Sequence, residues 1–306
     1  MPKLHHLRDF VAIARAGSAR SAARVLGLTQ PALTRSLQEL ETELGAGLFE
    51  RHARGMALTA AGERFLVRAQ AALEEVRRGF EEVAQAQGRM QGSVAVALSS
   101  TIVLTMLPAA CVAFRQECPD VRLRVVEGLF PAVEPRLRDG RLDFYMGPRP
   151  ETVLSNSYRV ELLFRNERLV VGRRNHPLRH ARSIAELLDA EWIVTGLRER
   201  VEEEFEEQFT ALGLRVPQSS IVAESMLALL SLLSTGDGLA FLPRQWTDTP
   251  LLKGIVEPIA IAEPLIAPDI VQVTRARLPL TPAAERLSVL LRRAAGEPPR
   301  GDATGR

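Results

Sequence analysis

The sequence predicts two kinds of structure in series: an all-α N-terminal segment in a helix-turn-helix arrangement that runs into one long helix, and a C-terminal α/β region of two lobes. Three observations carry this. Apolar residues recur at helical spacing as far as Leu40, a proline-free stretch from Thr59 to about Arg89 keeps the same period, and from Val94 onward short apolar runs alternate with helical segments.

Leu7, Phe10, Val11 and Ala14 fall on one face of a first helix, which Gly17 and Ser18 close and cap. Ala19, Ala22, Ala23 and Leu26 repeat the pattern over a shorter helix ending at Gly27, where glycine takes positive φ without steric cost. A third helix opens with Thr29 as its cap and Pro31 in the first turn, and Leu33, Ser36, Leu37 and Leu40 continue the inward stripe. This is the arrangement whose last helix enters a DNA major groove. On the outward face stand Gln30, Thr34, Arg35 and Gln38, groups suited to base edges and phosphates, with no carboxylate before Glu39. On most surface helices such a polar stripe is only a solvated face.

The segment LGLTQPALTRSLQELETELGAGLFERHARGMALTAAGE shifts the balance. Its Thr29-Gln30-Pro31-Ala32 helix start, Leu40-Glu41, Gly45, Leu48-Phe49-Glu50-Arg51 and Leu58-Thr59-Ala61-Gly62 run in order and without gaps, and they resemble the signature of the LysR-type transcriptional regulators. The resemblance implies double-stranded DNA as partner, met by Thr29, Gln30, Pro31, Thr34, Arg35 and Gln38. It also implies that RHARGMAL, with its turn glycine Gly55, forms a wing, a short hairpin that turns Arg51, His52 and Arg54 to phosphates; arginines on such a loop are equally at home as solvated charge. Through Leu58 eight basic residues stand against five acidic ones, a balance of +3 in a chain of net charge +2, so the basic end is the nucleic-acid candidate.

Along the next segment Phe65, Ala69, Ala72, Val76, Phe80, Val83 and Gln87 fall three or four residues apart, flanked by Arg and Glu. The seam is too narrow for a globular core and fits the pairing of helices in a coiled coil. In the resembled family this linker helix joins subunits into homodimers or homotetramers, so that two winged domains reach the half-sites of an operator with dyad symmetry, with RNA polymerase as a further partner.

Past Gly92, Val94–Leu98 reads as a strand, Ser99-Ser100-Thr101 as a helix start and Ile102 to about Glu117 as one helix. The strand VRLRVVEG, a helix from about Pro131 to Arg138 and the strand LDFYMG follow. These βαβ units predict a mostly parallel sheet with ligands at the carboxyl ends of its strands. A second set comprises ERLVVGRRNHPL, the strand WIVTG, the acidic helix RERVEEEFEEQFTALG, the strand SIVAE, the helix SMLALLSLLSTG and the strand GLAFLP. The chain crosses between lobes near Glu161–Arg168 and near Ala262–Val271, and the helix TPAAERLSVLLRRAA returns to the first lobe. The run Glu202–Glu207 reads as a solvated helix face.

This layout resembles the LysR-type effector-binding domain, a periplasmic-binding-protein-like fold. ERLVVGRRNHPL and the stretch from Gly236-Asp237-Gly238 to Leu242-Pro243 carry the likeness, and GLFPAVEPRLRDGRLDF is similar to the toluenesulfonate-responsive branch of the family. The expected organisation is a winged helix-turn-helix over 1–58, a linker helix over 59–90, an effector-binding domain over 91–296 and a disordered tail over 297–306. Lobe I takes 91–163 and 269–296, lobe II 164–268. The implied ligand is a small anion, such as an aromatic carboxylate or sulfonate, that changes the placement of the lobes and through it the angle of the winged domains on DNA.

For the effector, Ser99, Ser100 and Thr101 sit at a strand-to-helix junction where free amides, hydroxyls and the helix dipole favour an anion; the same hydroxyls serve equally as plain helix caps. Thr195 and Ser225 lie at comparable strand ends of the second lobe. Phe130 and Pro131 offer apolar walls, and Arg149, just after LDFYMG, is either a counter-ion or a loop arginine.

Composition sets the remaining bounds. With 46% hydrophobic and 25% charged residues, the chain falls among ordinary globular proteins rather than fibrous or disordered ones. Its start, MPKLHHLRDFVAIARAG, carries no secretory pattern, and the apolar run Met226–Leu233 is far short of the roughly 20 residues that cross a bilayer, so a cytoplasmic protein without membrane contact is expected. Cys111 and Cys118, seven apart on one predicted helix, read as small buried residues sharing a face, with a thiol redox sensor as the other possibility. His5, His6, His52, His176 and His180 show no metal-ligand spacing with them, and no metal or cofactor is expected. The chain has no GxGxxG, phosphate loop or GxSxG elbow to support an enzyme.

Overall fold

The structure, a computed structural model, describes residues 2–52, 55–151, 156–195 and 201–296. Arg54 and the tail at 297–306 lie outside the described residues. The chain divides into two compact units: the residues up to Arg89 with Pro135–Leu142, and Met90–Glu134 with the residues from Asp143 onward.

The first unit holds α1 (Leu4–Ala16), α2 (Ala19–Leu26), α3 (Gln30–Leu44), β1 (Phe49–His52), β2 (Gly55–Leu58) and α4 (Ala60–Ala86). Helices α2, α3 and α4 start where a side chain can serve a free backbone amide: the Ser18 hydroxyl accepts from Ser21 N–H, Thr29 from Ala32 and Thr59 from Gly62. At the turn between α2 and α3, Gly27 takes φ +66°, a conformation that a side chain would strain. The stripe Leu33, Ser36, Leu37 and Leu40 is the buried side of α3, as its spacing predicts. It closes a core with Phe10, Ile13, Ala22 and Leu48, where Phe49 and Phe65 lie against Phe10 at ring separations of 5.5 and 5.3 Å. β1 and β2 form an antiparallel hairpin, Phe49 opposite Leu58 and His52 opposite Gly55.

The seam of α4 divides along its length. Phe65, Ala69 and Leu73 pack into the chain's own N-terminal core, whereas Phe80 is 75% and Val83 60% exposed. Only the second half of the expected pairing surface is therefore open.

The second unit continues with β3 (Gln91–Leu98), α5 (Ser100–Thr105), α6 (Leu107–Glu117), β4 (Asp120–Glu127), α7 (Glu134–Arg138, which falls almost wholly in the segment grouped with the first unit), β5 (Phe144–Pro148) and β6 (Tyr158–Phe164). The other lobe follows: β7 (Arg168–Arg173), a 3-10 turn at Ile184–Leu187, β8 (Trp192–Thr195), α8 (Val201–Thr210), β9 (Ser219–Ala223), α9 (Met226–Thr235), β10 (Ala240–Pro243), α10 (Arg244–Thr247) and β11 (Val256–Ile259). The chain then returns as β12 (Ile270–Arg275) and α11 (Pro282–Ala294).

The first lobe is a five-stranded sheet in the order β4-β3-β5-β12-β6, packed on α6 and α11 around Ile102, Phe114, Phe144, Leu287 and Leu291. The second lobe pairs β8 with β9 and β7 with β10 and β11, around an aromatic cluster of Trp192, Phe205, Phe209 and Phe241. The mostly parallel sheet expected from βαβ units is corrected to a mixed one. β3 runs parallel to β4 and β5, and β8 to β9, but β12 is antiparallel to both its neighbours, as β7 is to its own. Strands that return from the other lobe are not joined by a crossover helix, so nothing imposes the parallel direction on them.

The single helix expected over Ile102 to about Glu117 is two. Met106, at φ −108°, separates α5 from α6, because Pro108 has no N–H for the carbonyl one turn back and its ring crowds that carbonyl. Helix α6 ends at Glu117, so Cys118 lies past it rather than on a shared face; it is buried, while Cys111 is half-buried. Burial, then the neighbouring Glu117 charge, push the Cys118 thiol pKa up, away from the thiolate that a sensor needs. The helix expected from about Pro131 begins at Glu134, after turns at 130–133. Among the described residues no helix is long and apolar enough to cross a membrane.

Candidate functional site

Thr29, Gln30, Pro31, Arg35 and Gln38 are exposed along α3, and Thr34 is half-exposed with its hydroxyl donating to Gln30 O at 2.9 Å. α1 sets the rotation of this helix. The buried Asp9 carboxylate accepts from the Ser36 hydroxyl at 2.7 Å through Oδ2 and from Arg8 through Oδ1. Glu39, the first carboxylate along this face, folds back one turn, and its Oε1 accepts from Arg35 Nε at 2.9 Å. The Arg35 guanidinium in turn holds the Glu39 carboxyl below the usual carboxylate range. Beside α3, β1 sets Arg51 opposite Met56, and His52 lies 3.6 Å from Glu50.

A second candidate site lies between the two lobes of the C-terminal unit, a cleft of about 120 Å³. It brings together Ser99, Ser100, Thr101 and Thr195 with Asn166, Arg168, Glu224 and Trp246. None of the three hydroxyls at the start of α5 caps that helix. The Ser100 hydroxyl donates to Glu127 Oε1 at 2.5 Å, and Thr101 Oγ1 accepts from the Trp246 indole N–H at 3.0 Å. Among the described residues, neither Ser99 Oγ nor Asn166 Oδ1, both buried, has a hydrogen-bond partner. An unmet polar atom costs about 1–3 kcal/mol, so two of them in one cleft mark a place where a bound group or water would be stabilised. Arg168 reaches Glu204 Oε2 at 3.0 Å and Ile266 O at 3.4 Å.

The other expected effector residues stand elsewhere. Phe130 is buried edge-to-face against Tyr145 and Tyr158, at 5.2 and 6.1 Å. Pro131 and Ser225 are exposed, and the exposed Arg149 is tied through its backbone N–H to Asp269 O at 2.8 Å. None of the four lines the cleft. Sequence reasoning missed Asn166, Arg168, Glu224 and Trp246, of which the first two sit on the first crossing between lobes. That crossing was legible in the sequence, and a ligand held between lobes meets the crossing strands first.

A helix-turn-helix unit with an exposed polar third helix, joined to an α/β unit with an interlobe cleft, defines a ligand-responsive DNA-binding regulator. Residues 4–63 match the family of bacterial regulatory helix-turn-helix proteins of the lysR family, and residues 87–296 match the LysR substrate binding domain. The chain belongs to the LysR family of transcriptional regulators, which makes it a regulator rather than an enzyme. It is 35% identical over 176 residues to the uncharacterized HTH-type transcriptional regulator YdcI of Escherichia coli K12, a match spanning 58% of this chain and 57% of that protein. To the HTH-type transcriptional regulator TdcA of the same organism it is 26% identical over 248 residues, 81% of this chain and 79% of TdcA. Full-length CbnR in complex with its target DNA shares the fold, with a TM-score of 0.66 at 23% identity over 95% of this chain and 99% of CbnR.

Proposed function

We propose that this regulator reads a double-stranded operator of dyad symmetry through α3 and the wing, in the cytoplasm, as a homodimer or homotetramer joined along α4 and in contact with RNA polymerase. Its activity is set by a small organic anion in the interlobe cleft, an aromatic carboxylate or sulfonate of the toluenesulfonate type. The observation that carries the effector reading is the pair of buried atoms Ser99 Oγ and Asn166 Oδ1, unpartnered among the described residues, in the cleft that Arg168 also lines. The guanidinium supplies charge and a planar pair of donors for an acid group, shared with Glu204. Glu224, at the same cleft, favours an effector that carries a hydrogen-bond donor besides its acid group.

The polar face Gln30, Thr34, Arg35 and Gln38 supports the DNA reading, with Arg51 and Arg54 of the wing on phosphates. The exposed Phe80 and Val83 support self-association, since a helix in water gains by covering such a pair. An effector that binds one arrangement of the lobes better than another shifts the population of the two, and the winged domains follow.

A thermal-shift panel of carboxylates and sulfonates tests the effector assignment, because a ligand at 100 times its dissociation constant adds about 2.7 kcal/mol of stability. A shift that disappears in Arg168→Gln and Ser99→Ala supports it; no shift with any acid removes it and leaves the DNA reading in place. For DNA, Arg35→Ala or Gln38→Ala lowers discrimination between sequences, while Arg54→Ala weakens binding to all of them. An operator footprint unchanged in the three variants overturns that part.

A further inference from the structure

We propose that His6 and Glu39 are positioning residues that aim the side chain of Arg35 at a base, an inference that rests on the reading of α3 as the DNA-reading helix. The three side chains form a line from the core to the surface. His6, on α1, is 3% exposed, and its Nδ1 accepts from the Lys3 backbone N–H at 3.4 Å. With Nδ1 as acceptor, the proton of the neutral imidazole sits on Nε2. Nε2 is buried without a well-aligned hydrogen-bond partner, and it faces Glu39 Oε2 at 3.3 Å. The other carboxylate oxygen, Oε1, holds Arg35 Nε at 2.9 Å, and the Arg35 side chain is 82% exposed.

The site of that grip matters. Glu39 engages Arg35 through Nε, and among the described residues nothing meets the terminal nitrogens Nη1 and Nη2. Those two nitrogens are the fork that pairs with O6 and N7 of guanine. A guanidinium held at Nε with its fork outward has fewer rotamers to lose on meeting a base, so the grip sharpens discrimination. An isolated Arg–Glu pair one turn apart on a surface helix is worth little and samples many geometries. Here the carboxylate is backed by an immobile ring from the neighbouring helix. One turn along, Asp9 and Ser36 make the companion contact, so that residues 6 and 9 of α1 meet 39 and 36 of α3.

The experiment uses the full-length protein and the duplex it selects from a random library, together with the single-base-pair variants of that duplex. Arg35→Ala identifies the base pair that Arg35 reads. Glu39→Gln then lowers the preference at that same base pair by roughly three- to tenfold, a fraction of the discrimination that one bidentate contact supplies. It does so while raising affinity for unrelated DNA, because a carboxylate facing phosphates is gone. That opposite movement of specificity and affinity is not produced by general loosening of the fold. His6→Leu lowers the preference similarly, and His6→Gln, which keeps a polar donor facing Glu39, keeps most of it. Preference unchanged within twofold in Glu39→Gln, while Arg35→Ala abolishes it, overturns the positioning role and leaves the helix assignment intact. Preference unchanged in Arg35→Ala overturns both.

Discussion

The indole N–H of Trp246 on α10 donates to the hydroxyl of Thr101 on α5 at 3.0 Å, a buried bond that ties the two lobes together at the wall of their cleft. Thr101→Val keeps the shape and removes the acceptor. With the indole N–H left unmet, the C-terminal unit loses about 1–3 kcal/mol, read from urea unfolding followed by tryptophan fluorescence. Trp246→Phe in the same background costs less than it does alone, since the partner is already gone.

Gly62 and Gly79 both lie on α4 and answer oppositely to alanine. A Cβ at Gly62 would stand 2.1 Å from the Leu48 carbonyl oxygen, a backbone atom that cannot yield, so Gly62→Ala lowers the stability of the N-terminal unit by about 3 kcal/mol or more. Around Gly79 there is open space, and Gly79→Ala raises stability by about 0.5–1 kcal/mol through helix propensity. Thermal melts of the two variants check the pair.

Acidification weakens the second lobe through Glu263. The Ser183 hydroxyl and the Ile184 N–H both donate to its carboxylate and hold its pKa below the ordinary value. A carboxyl whose folded pKa is depressed contributes stability above its unfolded pKa, and loses it as pH falls through that value toward the folded one. Glu263→Gln therefore lowers stability near neutral pH and flattens its decline below about pH 4.5, the ordinary range of the group. Equal acid sensitivity in the two proteins contradicts this assignment.

Phe80→Arg, at a position 75% exposed, leaves the fold intact and disfavours self-association. The expected result is a lower weight-average mass in sedimentation equilibrium, with unchanged helical content by circular dichroism. An unchanged mass places the subunit contact elsewhere on the chain.

The N-terminal unit was the more legible half of the sequence. Its third helix obeys one period and one capping rule, so Leu33, Ser36, Leu37 and Leu40 and the cap Thr29 could be read directly. The Arg35–Glu39 contact obeys the same one-turn spacing, but the residue that backs it, His6, lies on a different helix far earlier in the chain. In the C-terminal unit the strands were visible and their directions were not, because direction depends on which lobe a strand returns from. Likewise Ser99 was legible as a junction residue. What sets it apart, a buried hydroxyl left unmet opposite Asn166 and Arg168, depends on a crossing more than sixty residues later.

The place of β12 in the first lobe bears on how this chain is made. It lies between β5 and β6, and within the sheet it is the neighbour that β6 pairs with. A ribosome that has released the chain as far as Ile259 has delivered every strand of that sheet except the one that joins its edge to its middle. Until Ile270–Arg275 emerges, β6 presents unpaired amides and carbonyls, and no strand pairing ties it to β5. A nascent or truncated chain that stops before this strand is thus the form most in need of a chaperone, because only β12 joins β6 to the rest of the sheet.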